Sequence, residues 1–239
     1  MKKTLALLLA FAGIASAASE IDLTGKWDGN TAAISGETFT DGKASFVVSL
    51  DIDKLASWTP EEGKVPLAYL GATNTYQQDI KLGLSIDTYN NGIICPWKNR
   101  NEQDTYKGVT ATLPIPDSLT YSYATLLFTV YTDGNNSLGT GYLYLFDDKL
   151  EVVDYTMSEN CNLGTTILTG IPYSSFTIDS DYVIADSVAV YNGHFSTEDE
   201  MKAALKSVLP AADTTVPEPA TATLSLLALA GLAARRRRK

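Results

Sequence analysis

The chain has 239 residues and a formal net charge of −10. Seven of its 18 basic residues lie at the two ends, which leaves a body with 27 acidic and 11 basic residues and a net charge near −16. So acidic a body excludes nucleic acid and anionic lipid as partners, because like charges repel. Its length of about 190 residues suffices for one domain with a substantial core.

The first 17 residues have the order of a secretory signal peptide. Two lysines precede the apolar stretch 5–14, and the small residues Ala15 and Ala17 follow it. Signal peptidase requires small residues at these places, so we expect cleavage after Ala17 or the next residue. We therefore predict residues 1–17 as a signal peptide and the rest as an exported protein.

Residues 19–210 show the alternation of half-buried β-strands. Apolar side chains alternate with polar or small ones in Phe46–Ile52, Ile80–Ile86, Leu126–Val130 and Leu143–Leu145. This period of two predicts strands. Turn residues separate them, at Asp41-Gly42, Asn90-Asn91-Gly92, Asp133-Gly134-Asn135-Asn136 and Asp147-Asp148. Many short strands at such spacing predict an all-β fold, an antiparallel sandwich or jelly roll.

The two cysteines, Cys95 and Cys161, form an even count in an exported protein. Export favours a disulfide between them, and two buried free thiols are the alternative.

One stretch predicts a helix, near the end of the body. Ser196-Thr197-Glu198-Asp199-Glu200 offers a cap with acids in the first turn. Met201, Ala204, Leu205 and Val208 then recur with helical spacing and fall on one face. We expect this helix to pack on a sheet edge or on the flank of the sandwich.

The segment that leads into this helix resembles the closing segment of laminin-G-like, concanavalin A-type domains. In those domains an Asp opens the last strand, a Tyr-Asn pair ends it and a Ser begins a short helix; here these are Asp186, Tyr191-Asn192 and Ser196. The hairpin Phe128–Phe146 and the strand Ser45–Ile52 are similar to further parts of the family. The resemblance implies a concanavalin A-like jelly roll, a fold that hosts lectins, glycosidases and inert spacers.

The last residues of the chain form a separate module. After a linker at 211–219, which contains Pro217, Glu218 and Pro219, an apolar run of fifteen residues fills 220–234. That run is shorter than the roughly 20 residues of a permanent span. A cluster of cations ends the chain: Arg235, Arg236, Arg237, Arg238 and Lys239. Such a cluster stops transfer through a membrane, so we predict a membrane helix with its basic tail at 220–239.

This order resembles the PEP-CTERM sorting signal of Gram-negative bacteria, whose members are processed by a membrane enzyme called exosortase. The resemblance implies transient anchoring in the inner membrane, then release to the cell surface or extracellular matrix. An exosortase-like enzyme and signal peptidase are the processing partners that we expect.

Two pairs of carboxylates are the candidates for catalysis in this sequence. A retaining glycosidase needs two carboxyl groups about 5 Å apart. Asp51 with Asp53, and Asp179 with Asp181, have a suitable spacing, but both pairs adjoin expected strand ends, where solvated carboxylates are common. His194 is the only histidine, which excludes a zinc site made of several imidazoles. We therefore predict no catalytic residue.

Two kinds of ligand contact follow from the residue types. Trp58 and Trp97 could stack on sugar rings, although aromatic residues also pack in the interior of ordinary sandwiches.

Concanavalin A-type domains often carry structural calcium, and Asp133 and Asn135 could supply its oxygen ligands. The same stretch suits a tight turn without any ion, and we expect no cofactor.

Three functions remain open. The first, which we predict, is a non-enzymatic surface or matrix protein that binds extracellular polysaccharide or other surface components. The second is a carbohydrate-active enzyme similar to glycoside hydrolases, and the third is an inert envelope spacer.

Overall fold

The computed structural model describes residues 18–37, 39, 42–56, 64–73, 78–87, 93–100, 103–106, 111–112, 121–133, 136–158, 161–163 and 173–210. The predicted signal peptide and sorting tail lie outside these residues, as do Trp58, Asn135 and the expected turn at 90–92. No helix within the described ranges is long and apolar enough to cross a membrane. The chain divides into two units, Met1–Leu209 and Pro210–Lys239, and all the elements below belong to the first.

The strands, in chain order, are β1 (Ser19–Glu20), β2 (Trp27–Asp28), β3 (Thr31–Ala33), β4 (Ala44–Leu50), β5 (Lys64–Thr73), β6 (Asp79–Asp87), β7 (Ile93–Arg100), β8 (Gln103–Tyr106), β9 (Ala111–Thr112), β10 (Tyr123–Asp133), β11 (Asn136–Phe146), β12 (Val152–Met157), β13 (Cys161–Asn162), β14 (Tyr173–Ile178) and β15 (Val183–Asn192). The helices are α1 (Ile52–Ala56) and α2 (Glu198–Ser207).

These strands form two antiparallel sheets. Sheet A has the order β1-β15-β4-β10-β11-β12, with β13 also paired to β11, and sheet B has the order β2-β3-β14-β5-β6-β7-β8, with β9 also paired to β7. The sheets pack face to face, because the rings of Phe46 in β4 and Phe176 in β14 lie 5.3 Å apart within one shared apolar core. The prediction of a mostly β protein with a short helix is confirmed, and the architecture is consistent with a β-sandwich.

The alternation in β6 matches its predicted pattern. The residues Ile80, Leu82, Leu84 and Ile86 are at most 1% exposed and belong to the core between the sheets. The residues between them therefore face the outside of sheet B.

The expectation of half-buried strands was wrong for β4. All seven of its residues are buried, because α2 covers the outer face of sheet A. Val47, on that outer face, belongs to a second apolar cluster with Leu205 of the helix. The sandwich therefore has a third layer over sheet A.

Helix α2 begins with the predicted cap. Thr197 is the N-cap residue, and its side chain accepts from the N–H of Glu200 at 3.2 Å. The Glu200 carboxylate in turn accepts from the Thr197 N–H at 3.2 Å, completing a capping box. Ala204 and Leu205 are buried against sheet A, so the helix and its apolar face are confirmed.

The predicted strand Phe46–Ile52 is two residues too long. The strand ends at Leu50, and α1 begins at Ile52. Asp51 causes the change of direction, because its Oδ1 accepts from the Lys54 N–H at 3.1 Å and caps the helix.

Candidate functional site

A groove of about 330 Å³ opens beside the β1 edge of sheet A. One wall is the segment 20–27, which runs from the end of β1 to the start of β2, and the other consists of residues 185–189 of β15. Glu20, Asp22, Trp27 and Asp186 are among the residues that line it. It thus brings together an aromatic ring and three carboxylates.

Hydrogen bonds fix the first wall. The Ile21 N–H donates to the Val190 carbonyl at 2.8 Å, which holds the segment on β15. The Thr24 N–H then donates to Asp22 Oδ1 at 2.9 Å and closes a tight turn. Gly25 follows with a φ of +70°, which glycine adopts without steric cost. The turn carries the chain from the edge of sheet A to the start of β2.

A β-bulge forms the second wall. Val183 of β15 pairs with Leu50 of β4, and the next pair joins Val188 to Val48, so five steps along β15 match two steps along β4. A bulge of this kind bends the strand and redirects its side chains. Asp186, within the bulge, is exposed at the groove.

Trp27 supplies the aromatic part of the groove. Its side chain is 37% exposed, and its ring packs nearly perpendicular to that of Phe176, with the centroids 6.1 Å apart. Packing on one side restricts the indole before any ligand arrives, which lowers the entropic cost of binding.

Negative charge dominates the groove. None of the described residues that line it is basic. Hydrogen bonds from Thr24, first from its side chain and then from its backbone, lower the pKa of Asp22 and keep its carboxylate ionised. Lys26 also lowers this pKa through its charge, but its Nζ lies 3.5 Å from Glu37 Oε1 in an ion pair.

An indole among carboxylates can recognise a sugar. The apolar face of a sugar ring stacks on an aromatic surface, and carboxylate oxygens accept hydrogen bonds from hydroxyl groups. Within the described part of the chain, no group of three or more His, Cys, Asp or Glu residues is arranged to hold a metal ion.

Trp97, a predicted glycan contact, lies elsewhere and is buried. Its side chain is 2% exposed, and its ring lies 5.6 Å from that of Tyr69 on the outside of sheet B. The expectation that Trp97 presents an exposed stacking surface was wrong, because packing against neighbouring groups closes the ring off from solvent.

Both carboxylate pairs lie where α1 meets the β14–β15 connection. Asp51 caps α1, and Asp53 lies exposed in its first turn. Asp181 Oδ2 lies 3.4 Å from the Nζ of Lys54, and the Asp179 N–H donates to the Leu67 carbonyl at 2.9 Å. The side-chain contacts of Asp51 and Asp181 thus serve the fold, and the Asp179 contact belongs to its backbone.

The remaining predicted positions are only partly described. Cys95 lies on β7 of sheet B and Cys161 on β13 of sheet A, but the side chain of Cys95 lies outside the described residues, so the disulfide stays a prediction.

The β10–β11 ladder extends to the pair Asp133↔Asn136. Residue 135 and the side chain of Asp133 lie outside the described part, and the calcium ligands also stay a prediction.

Comparison with known proteins identifies the C-terminal module. Residues 215–239 match the model of the PEP-CTERM protein-sorting motif, which confirms the predicted sorting signal and supports exosortase-type sorting. This implies an exported protein that is anchored in the membrane and then processed. A search among curated proteins finds none that matches the chain.

Two solved structures are distantly similar to the body. One is Scytalido-glutamic peptidase with a peptide-based transition state analogue, at 8% identity and a TM-score of 0.26; the match covers 68% of this chain and 65% of the peptidase, less than two thirds of its length. The other is the Ruminococcus gnavus IT-sialidase CBM40 bound to α2,6-sialyllactose, at 13% identity and a TM-score of 0.27, covering 80% of this chain and 97% of that one. Neither score indicates an activity for this chain.

Proposed function

We propose that this chain is an exported surface or matrix protein whose β-sandwich binds carbohydrate, without catalysis, in the groove at Trp27. The observation that carries the proposal is that the exposed indole of Trp27 lines the same groove as Asp22 and Asp186. A bound sugar would stack on the indole, and its hydroxyl groups would donate hydrogen bonds to the carboxylates.

The proposed route to the surface has two processing steps. Signal peptidase removes residues 1–17, and the apolar segment 220–234 then holds the chain in the inner membrane as a short helix, with the basic tail as the stop. An exosortase-like enzyme recognises the signal that contains Pro217-Glu218-Pro219, removes the basic tail and releases the body. The sorting match at 215–239 supports this route.

For the body, residues 19–210, we propose the concanavalin A-like jelly roll. Two facing antiparallel sheets support it, as does the pairing of β1 with β15, which brings the two ends of the domain together in one sheet. This fold serves binding and catalysis alike. We favour binding because the carboxylates of Asp51 and Asp181, one from each candidate pair, already make contacts that serve the fold.

Mass spectrometry tests the route. The processed protein isolated from its producing cells should begin near Ala18 and lack Arg235–Lys239. Mature protein that retains the basic block, in cells with an active exosortase, would contradict the sorting proposal.

Affinity electrophoresis in gels that contain polysaccharides tests the binding. Retardation by at least one polysaccharide should occur and should weaken about tenfold in Trp27→Ala. Tyr155→Ala is the matched control, because Tyr155 is 53% exposed on β12, at the opposite edge of sheet A, and should bind normally. Equal loss in both variants, or release of reducing sugar by the unchanged chain, would overturn the proposal.

A further inference from the structure

The charge of the Trp27 groove selects among sugars. Glu20, Asp22 and Asp186 bring three carboxylates to one groove, and no described lining residue is basic. The body as a whole has 27 acidic and 11 basic residues. An anionic sugar would therefore meet repulsion both at the groove and on its approach.

A cation, in contrast, meets groups in the groove that attract it. The carboxylates would pair with an ammonium group, and the electron-rich face of an indole attracts cations. Lys26 acts on Asp22 through its charge, but the Lys26 ammonium also forms an ion pair with Glu37. At Asp22, an incoming ammonium would compete with Lys26.

We infer that the groove takes amino sugars with a free ammonium group, as in N-deacetylated polysaccharide, in preference to neutral sugars and against uronic or sialic acids. The inference rests on the proposed carbohydrate binding at Trp27. The ring of the amino sugar would stack on the indole, and its ammonium would pair with one of the carboxylates that line the groove.

Titration calorimetry on the full chain in mild detergent tests the inference with three probes. These are an oligomer of glucosamine, the same oligomer fully N-acetylated, and an oligomer of glucuronic acid, at a pH that keeps the glucosamine amine protonated. We expect the glucosamine oligomer to bind about tenfold more tightly than its acetylated form, with a preference that shrinks as salt is added. The glucuronic acid oligomer should show no binding.

Variants locate the effect. Asp22→Asn combined with Asp186→Asn should remove most of the preference for the free amine but retain binding of the acetylated oligomer. The matched control is Asp148→Asn combined with Glu151→Gln, which removes the same charge from the exposed β11–β12 turn and should keep the preference. Trp27→Ala should weaken the binding of both oligomers.

The outcomes separate the two proposals. Equal, Trp27-dependent binding of the amine and acetylated oligomers would overturn the inference and leave the proposed function standing. If the Asp148/Glu151 variant also loses its preference for the free amine, the net charge of the protein, and not the groove, attracts the amine. That outcome would also overturn the inference. No Trp27-dependent binding of any probe or polysaccharide would overturn the proposed function itself.

Discussion

The rings of Tyr69 and Trp97 lie 5.6 Å apart although a whole strand separates their backbones. Tyr69 on β5 and Trp97 on β7 both pair with Gly83 of the intervening β6, so all three face the same side of sheet B. Backbones two strands apart are about 10 Å from each other. The rings can meet because Gly83 has no side chain between them. The contact between the two rings therefore depends on a glycine at this position of β6.

Gly83→Ala should destabilise the protein by about 3 kcal/mol. A Cβ at this position would collide with the Ala68 carbonyl oxygen and lie 2.8 Å from the Cα of Tyr69, both of which belong to backbone that cannot easily move. The measurement is the free energy of unfolding in urea.

Gly29→Ala is the control for this prediction. Gly29 has open space around it but a φ of +58°, so alanine there should cost only about 1 kcal/mol through backbone strain. Equal losses at the two glycines would show that the crowding at Gly83 has no energetic effect.

The sequence predicts well those features that depend on residues close together in the chain. The period of two in β6 and the cap of α2 are both properties of neighbouring residues, and both are confirmed. The full burial of β4 was missed, because the pattern of Val47 and Ser49 on one strand cannot show that a helix 150 residues later covers that face.

The groove was missed for a similar reason. The sequence around Trp27 indicates an exposed position, because the charged residues Lys26 and Asp28 flank it and turn glycines lie on either side. The opposite wall carries none, since the bulge in β15 arises from its register against β4, and register depends on the partner strand as much as on the strand itself.

Asp51→Ala should lower the free energy of unfolding by about 1 kcal/mol, because it removes the side-chain cap of α1. The same change at Asp53, exposed in the first turn, should cost less than about 0.5 kcal/mol. Denaturant unfolding of both variants checks the difference. An equal effect of the two substitutions would argue against the capping role of Asp51.

His194 should make the protein less stable as the pH falls below neutrality. Partial burial lowers its pKa from the usual 6.5, the charge of Lys43 adds to this effect, and that of Glu200 opposes it. A lowered folded-state pKa means that the unfolded chain binds the proton more readily, so stability present above the unfolded-state pKa is lost as pH falls through the folded-state pKa.

The measurement compares the urea midpoint between about pH 7.5 and pH 5.5 in the unchanged chain and in His194→Gln. Because the chain has a single histidine, the variant should show a shallower decline over this range. Parallel pH profiles would contradict the assignment to His194.

Alanine substitutions at Trp27 and Trp97 should affect stability and polysaccharide binding in opposite order. Trp97 is 2% exposed, whereas Trp27 is 37% exposed and packs against Phe176. Trp97→Ala should therefore cost about 4 kcal/mol of unfolding free energy through the cavity it leaves, and Trp27→Ala about 1 kcal/mol. Calorimetry at a temperature where both variants remain folded should show the reverse order for polysaccharide binding, with a loss of about tenfold in Trp27→Ala and little change in Trp97→Ala. If Trp97→Ala loses affinity while still folded and Trp27→Ala does not, the binding surface lies on sheet B and not in the groove.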